Sequence, residues 1–280
     1  MQLGSETWAA CLRVAPPAII FPMTPLELFQ SARLAEAILM QEQIIAARGD
    51  DPVERLLLCD FLAYAGENKV VRLQLEQLVN APEVLQSYLG EWRKLLAADD
   101  ARHCGVQPDF LFEPAAHIRN RLQARMQLAG GLIEEAVDSL DAADESAAWV
   151  AGHVDGREFD GWRDSDDLLG PVLEVLHSDR YVWVPVEQVL KLRLEDADSL
   201  RDQLYRPATL WLVDGSRWEV FMPALYVGSA EHPEEGIRTG AGVDWIELHG
   251  VMRGVGERTF LFGEEELGIS EFKQVEIRRR

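Results

Sequence analysis

The chain has 280 residues and carries 27 Lys and Arg against 48 Asp and Glu, a formal net charge of −21. Chains of this length bury roughly 75% of their unfolded surface, enough for two units with real cores. The acidic excess is shared, with 12 basic and 22 acidic side chains in 1–150 and 15 and 26 in 151–280, so neither half offers a Lys/Arg stripe to neutralise phosphates. That excludes nucleic acid and anionic membrane surfaces as expected partners and favours a basic protein partner.

Cys11, Cys59 and Cys104 are too few and too scattered for a disulfide framework or a metal site, which points to a reduced, cytoplasmic protein. The N-terminal stretch lacks a basic region before its apolar part and is interrupted by Pro16-Pro17, against a signal peptide. No apolar run approaches the roughly 20 residues of a membrane-spanning helix. Met23-Thr24-Pro25 opens the first helical pattern, which leaves 1–22 as an extension or a disordered tail.

Thr24 followed by Pro25 is a helix-start signal, a hydroxyl cap and then a proline where no amide donor is missed. Leu26, Phe29, Leu34, Ala37, Ile38, Gln41 and Ile44 keep a helical period with a break around Ser31 to Leu34, which predicts two helices and a tight turn. Gly49-Asp50-Asp51-Pro52 ends that pair, and Asp51-Pro52 opens a helix through Tyr64 that stops near Gly66. The turns ARLAEA, GENKVV and GLIEEA begin at Ala32, Gly66 and Gly131, spaced 34 and then 65, with Ala37, Val71 and Ala136 five positions later. A spacing of 34 is the tetratricopeptide length, and 65 is close to two such units. Pro82 opens a long helix with Leu85, Leu89, Trp92, Leu95 and Leu96, followed by the loop DDARHCGVQPDFLFEP. The expectation is a tetratricopeptide-like superhelix of about three hairpins over 24–145, offering a groove to a partner or serving as a scaffold.

From Val150 the punctuation changes to Asp-Gly and Gly-rich pairs. Asp155-Gly156 and Asp214-Gly215 are hairpin signals; a two-residue loop at the second would set Trp211 opposite Trp218. Tyr181 to Val184 reads as a strand, then a single helical turn from Pro185 through Val189, then strands at Lys191 to Leu194, Asp244 to Leu248 and Arg258 to Phe262. Leu168 to Leu176 is the one helix-like interruption, although Gly170-Pro171 leaves a strand or a bent helix open. The fold class is α+β in two domains, the helical array followed by a mostly antiparallel, β-rich domain over 150–280.

Asp155, Asp160, Asp164, Asp166 and Asp167 suggest a metal loop, but Leu168 stands where an EF-hand needs glycine and no Glu follows at the right distance. Helix capping and solvation, with Arg163 pairing into the cluster, is the preferred reading. The six histidines show neither HxxxH nor HExxH, the adjacent His103-Cys104 reads as incidental, and Gly250, Gly254 and Gly256 read as turns or bulges between strands. No nucleophile, base and orienter assemble, so the expectation is no enzyme, no metal and no cofactor.

The second half contains FDGWRDSDDLLGPVLEVL at 159–176, YVWVP at 181–185, LRDQLYRPA at 200–208, EVFMPALY at 219–226, VDW at 243–245 and RGVGERTFL at 253–261. In these motifs it resembles the ImpE family, also called TagJ or SciE-type proteins, which are encoded in type VI secretion clusters. PLELFQSARLAEAI in the first half is similar in kind, while the residues before Met23 and Gly242-Val243, where Ala-Thr is expected, depart from the pattern. The resemblance implies a non-enzymatic adaptor that binds the small contractile-sheath subunit and links it to the ClpV AAA+ ATPase. The interaction candidates are Trp162, Arg163, Asp164, Asp166 and Asp167, then Tyr205, Arg206, Tyr226, Asp244, Trp245 and Arg253. A structural role in the β-rich half or at the domain interface is the competing reading of these residues. The competing functions are a metal- or nucleotide-dependent enzyme using the Asp-rich segment 155–167, and a purely structural scaffold.

Overall fold

The computed structural model describes residues 23–49 and 51–278. The expected extension 1–22, with Cys11, and Asp50 of the first helix-ending signal lie outside the described residues. Helix α1 (Pro25–Gln30) starts as its sequence dictates: Thr24 and Glu27 exchange hydrogen bonds in a capping box, 2.6 Å from the Thr24 amide and 3.2 Å to its hydroxyl. Helix α2 (Leu34–Arg48) follows, then α3 (Pro52–Tyr64), capped by Asp51 through the Val53 amide at 2.8 Å, and α4 (Asn68–Gln77). Long α5 (Glu83–His103) leads to a two-residue strand β1 (Asp109–Phe110), and α6 (Ala116–Ala129) and α7 (Ile133–Ser146) form a further antiparallel pair.

The three turns singled out by spacing share one geometry. Ala32, Gly66 and Gly131 have φ of 55°, 73° and 74°, and the amide after each reaches back five residues, Arg33 to Leu28, Glu67 to Leu62 and Leu132 to Gln127, all at 2.9 Å. This is the Schellman closure of a helix, which needs a left-handed residue at the turn. Ala37, Val71 and Ala136 are each fully buried, small enough to let the paired helices approach. The loop expected from Asp99 begins later, because α5 runs on to His103.

The strands are β2 (Ala151–Val154), β3 (Arg157–Asp160), β4 (Trp162–Asp164), β5 (Val172–His177), β6 (Arg180–Pro185), β7 (Val189–Leu194), β8 (Tyr205–Leu212), β9 (Arg217–Pro223), β10 (Val243–Leu248), β11 (Val251–Gly256), β12 (Thr259–Phe262), β13 (Glu265–Gly268) and β14 (Gln274–Ile277), with short helices α8 (Leu200–Leu204) and α9 (Glu235–Arg238). Among the described residues, nine strands form one sheet in the order β1-β6-β5-β9-β8-β7-β14-β2-β3; β13-β12-β4 form a second, and β10-β11 a hairpin. All pairs are antiparallel except β1 with β6, where Asp109 faces Val182. The class is α+β.

One expectation is decided here and another fails, each for a physical reason. The apolar run after Pro171 is strand β5, the alternative that Gly170-Pro171 left open, and its helix-like look comes from burial on both faces of the sheet, which removes the alternation that marks a strand. Val172 and Leu176 join the core under the helices while Leu173 and Val175 join the core on the opposite face. The β8-β9 turn has three residues, with Gly215 left-handed at φ 87° and the Leu212 amide on the Ser216 carbonyl, so Trp211 faces Arg217 and Trp218 faces Leu210. Slipping the register by one residue places the two indoles on opposite faces. By contrast the Asp155-Gly156 turn has positive φ at both centres, 45° and 81°, as its hairpin requires.

Candidate functional site

Helix α5 lies against β5 and β6, and the apolar face it turns to them ends in two charged residues, Asp99 and Arg102, both buried. Opposite them Glu174 sits mid-strand between Val172 and Leu176, on the same face of β5. A buried carboxylate must be paired. Arg102 Nε donates to Glu174 at 3.1 Å and its Nη2 to the Leu225 carbonyl at 2.7 Å, Tyr181 donates its hydroxyl to Glu174, and Trp183 Nε1 donates to Tyr181 at 2.5 Å. Arg258, wholly buried, bridges Glu174 and Asp164, with Nη1 at 3.0 Å from Asp164 Oδ2 and Nε at 3.0 Å from the Pro223 carbonyl. At the other end Tyr205 donates to Asp99 at 2.9 Å. The result is a continuous ionic chain, Asp99, Arg102, Glu174, Arg258 and Asp164, from the 21-residue helix α5 of the first half into the second.

The Asp-rich turn continues that chain. Asp164 Oδ1 accepts from the Asp166 amide at 2.9 Å and the Tyr226 hydroxyl at 2.7 Å. Asp166 accepts from the Leu168 amide, from Arg253 Nε at 2.8 Å and from the Gly254 amide at 3.0 Å. Asp167 holds the Met252 amide at 2.8 Å and Arg163 at 2.9 Å, and Arg163 also lies 3.7 Å from Asp144 of α7. The turn therefore fastens β11 and α7 to β4. Gly254 suits this geometry because any side chain there would collide with the Tyr226 ring.

These contacts correct the capping-and-solvation reading of the aspartates. Asp164 and Asp166 are 0% and 1% exposed, and the turn they organise is an Asx-type loop and not a helix start. Asp155 accepts from the Lys273 and Gln274 amides, and Asp160 from Trp149 Nε1 at 2.6 Å. Among the described residues no three His, Cys, Asp or Glu side chains form a group that could hold a metal ion. His103 pairs with Asp99, while the neighbouring Cys104 is exposed.

Of the interaction candidates, Arg163, Asp164, Asp166, Asp167, Tyr226 and Arg253 come together in one cluster, with Trp245 beside Tyr226 at 6.1 Å between ring centres, while the Trp162 side chain belongs to the core on the other face of the sheet. Trp162 is buried against Phe262, 5.9 Å between centres. Tyr205 belongs to the far end of the ionic chain. Arg206 lines a separate cleft, and Asp244 is on the surface with His232 at 3.2 Å. Asp99, Arg102, Glu174, Tyr181 and Arg258 were not among the candidates. Glu174 carried a signal, a single carboxylate inside an otherwise apolar run; Arg258 and Arg102 carried none that local spacing exposes.

A family model described as ImpE protein matches residues 156–276. That segment is an ImpE domain. The likeness to characterised proteins extends beyond it: the chain is 27% identical over 255 residues, 90% of each chain, to the type VI secretion system accessory component TagJ of Pseudomonas aeruginosa. The crystal structure of protein VPA1032 from Vibrio parahaemolyticus has the same fold, with a TM-score of 0.85 at 20% identity, over 91% of this chain and 98% of that one. Asp164, Glu174 and Arg258 of the ionic chain lie inside the ImpE domain, as do Tyr226 and Arg253 beside it, whereas Asp99 and Arg102 reach it from helix α5.

Electrostatics divides the buried acids. Burial works to raise Glu174, but Arg102 and Arg258 together hold it well below the usual carboxylate range. Burial likewise opposes Asp99, and His103, Arg102 and Tyr205 bring it down to about 2. Asp164 is pushed up to about 7 by burial, against Arg258 and with the repulsion of Asp166 added, because the Arg258 charge is shared with Glu174. Asp60 of α3, 7% exposed, is also pushed up to about 7 by burial, with Arg201 opposing and Asp202 adding to the rise.

Asp60 yields a pH prediction. Its folded pKa lies above the ordinary 3.8, so the stability it contributes is full below that value and is lost as pH rises toward 7. Asp60→Asn, neutral throughout, is expected to gain on the wild type across that window and to be about 1–3 kcal/mol more stable above it. Urea denaturation at pH 4.5 and pH 8 checks this; a difference that does not change with pH would show that the carboxyl titrates normally.

Proposed function

We propose that the protein is a non-enzymatic accessory component of a type VI secretion apparatus, an adaptor that binds the small contractile-sheath subunit and links it to the ClpV ATPase. The observation that carries this reading is the likeness to the TagJ accessory component, which runs through both halves of the chain. The charge of −21 suits a basic partner segment. In this reading residues 24–145 form a tetratricopeptide-like superhelix and 150–280 the second domain. The helical half leaves Leu39, Leu73, Val84 and Met126 exposed, apolar contacts of the kind a partner helix takes up. Among the described residues no helix is long and apolar enough to cross a membrane.

Within the candidate set, the roles divide by exposure. Trp162, Asp164, Asp166, Tyr205 and Tyr226 are buried and hold the fold, which favours the structural reading for these five. Arg163, Asp167, Asp244, Trp245 and Arg253 reach the surface and are the contact residues proposed for a partner. Calorimetric titration of the full chain with the cognate small sheath subunit tests the adaptor. Binding in the micromolar range, weakened by Trp245→Ala with the fold intact by circular dichroism, is expected; no heat at tens of micromolar overturns it.

A further inference from the structure

Arg206 stands at the start of β8 and lines a cleft of about 330 Å³ with Gln203, Thr239, Glu257 and Ser270 among its walls. Among the described residues its buried Nε has no hydrogen-bond partner and its guanidinium makes no ion pair. Lys273, paired with Asp196 at 2.9 Å, holds that carboxyl below the ordinary value, and the Arg206 charge adds to this without an ion pair to Asp196. A carboxylate nevertheless lines the same cleft. Glu257 is pinned by the Ser270 amide at 3.1 Å and the Ser270 hydroxyl at 2.5 Å, both on Oε1, while Gly268 lies close against its carboxyl group. The two opposite charges share the cleft without touching each other.

A cation and an anion held apart on the walls of one small cleft are complementary to a ligand bearing both charges. We propose that this cleft binds a free α-amino acid or a zwitterion of that size, with its carboxylate on Arg206 and its ammonium on the open oxygen of Glu257. A guanidinium presents the planar pair of donors that a carboxylate matches. The volume lies at the small end of ligand sites, which suits a molecule of a few heavy atoms and not a nucleotide. Glu257 also repels a simple anion such as phosphate. The site is independent of the adaptor role, since none of its walls belongs to the Asp-rich cluster.

Thermal-shift and calorimetric titration of the full chain with each of the free L-amino acids at millimolar concentration tests the proposal. At least one is expected to bind, with affinity falling at least tenfold in its methyl ester, which lacks the carboxylate, and in its N-acetyl form, which lacks the ammonium. Arg206→Gln and Glu257→Gln should each abolish the response, and Arg206→Lys should keep part of it. Because the ligand variants are read on the wild type, a variant that fails to fold does not weaken the test. No response to any amino acid overturns the proposal, as does equal binding of the esters, the acetylated forms or inorganic phosphate.

Discussion

Arg258→Met is expected to destabilise the protein by about 3–5 kcal/mol, because it removes one cation from between two buried carboxylates. Arg258 is 0% exposed and serves Asp164, Glu174 and the Pro223 carbonyl at once. Met fills most of the volume but none of these bonds. Glu174 keeps Arg102 and Tyr181, so the loss falls hardest on Asp164, which retains only the Tyr226 hydroxyl and the Asp166 amide. Asp164 is already pushed up to about 7, and losing Arg258 raises it further. An acid raised in the folded state loses its contribution as pH rises, so the deficit of the variant should be larger at pH 8 than at pH 5.5. Asp164→Asn added to Arg258→Met should recover part of the loss, since it removes the stranded charge. Urea denaturation of the two variants at both pH values decides. Equal deficits at the two pH values, with no recovery in the double variant, would show that the loss is one of packing alone.

The parts of this structure that were legible in the sequence are those whose cause is local. The Thr24-Pro25 and Asp51-Pro52 starts, the left-handed turns at Ala32, Gly66 and Gly131, and the Asp155-Gly156 hairpin each depend on a few neighbouring residues, and spacing reveals them. Where the cause is tertiary the sequence pattern misleads. The run after Pro171 hides its strand period because both faces are covered, and Asp164 and Asp166 look like solvated loop residues because Arg258 and Arg253, which make their burial tolerable, stand some ninety residues away. A separation of 72 residues likewise hides the pairing of Glu174 with Arg102. Local reading therefore placed the Asp-rich turn at the right point in the chain and gave it the wrong environment.

Trp92 carries the largest apolar anchor of the helix that supplies Asp99 and Arg102, and Trp92→Ala is expected to cost about 3–5 kcal/mol. Its indole is fully buried and meets the Tyr205 ring edge-on, 6.0 Å between centres, while Tyr205 donates its hydroxyl to Asp99. Trp92, Leu95, Leu96, Asp99 and Arg102 recur at helical spacing, so one face of α5 changes from apolar to ionic as it crosses the sheet. Among the described residues Trp92 Nε1 has no hydrogen-bond partner, which means that phenylalanine forfeits volume but no bond. Trp92→Phe should therefore cost only about 1 kcal/mol. Guanidinium denaturation gives both values, and amide exchange locates them: the alanine variant should lose protection along α5 through Arg102, the phenylalanine variant should not. If the two substitutions cost the same, the indole is not what holds α5 to the sheet, and the Asp99–Arg102–Glu174 chain positions the helix without it.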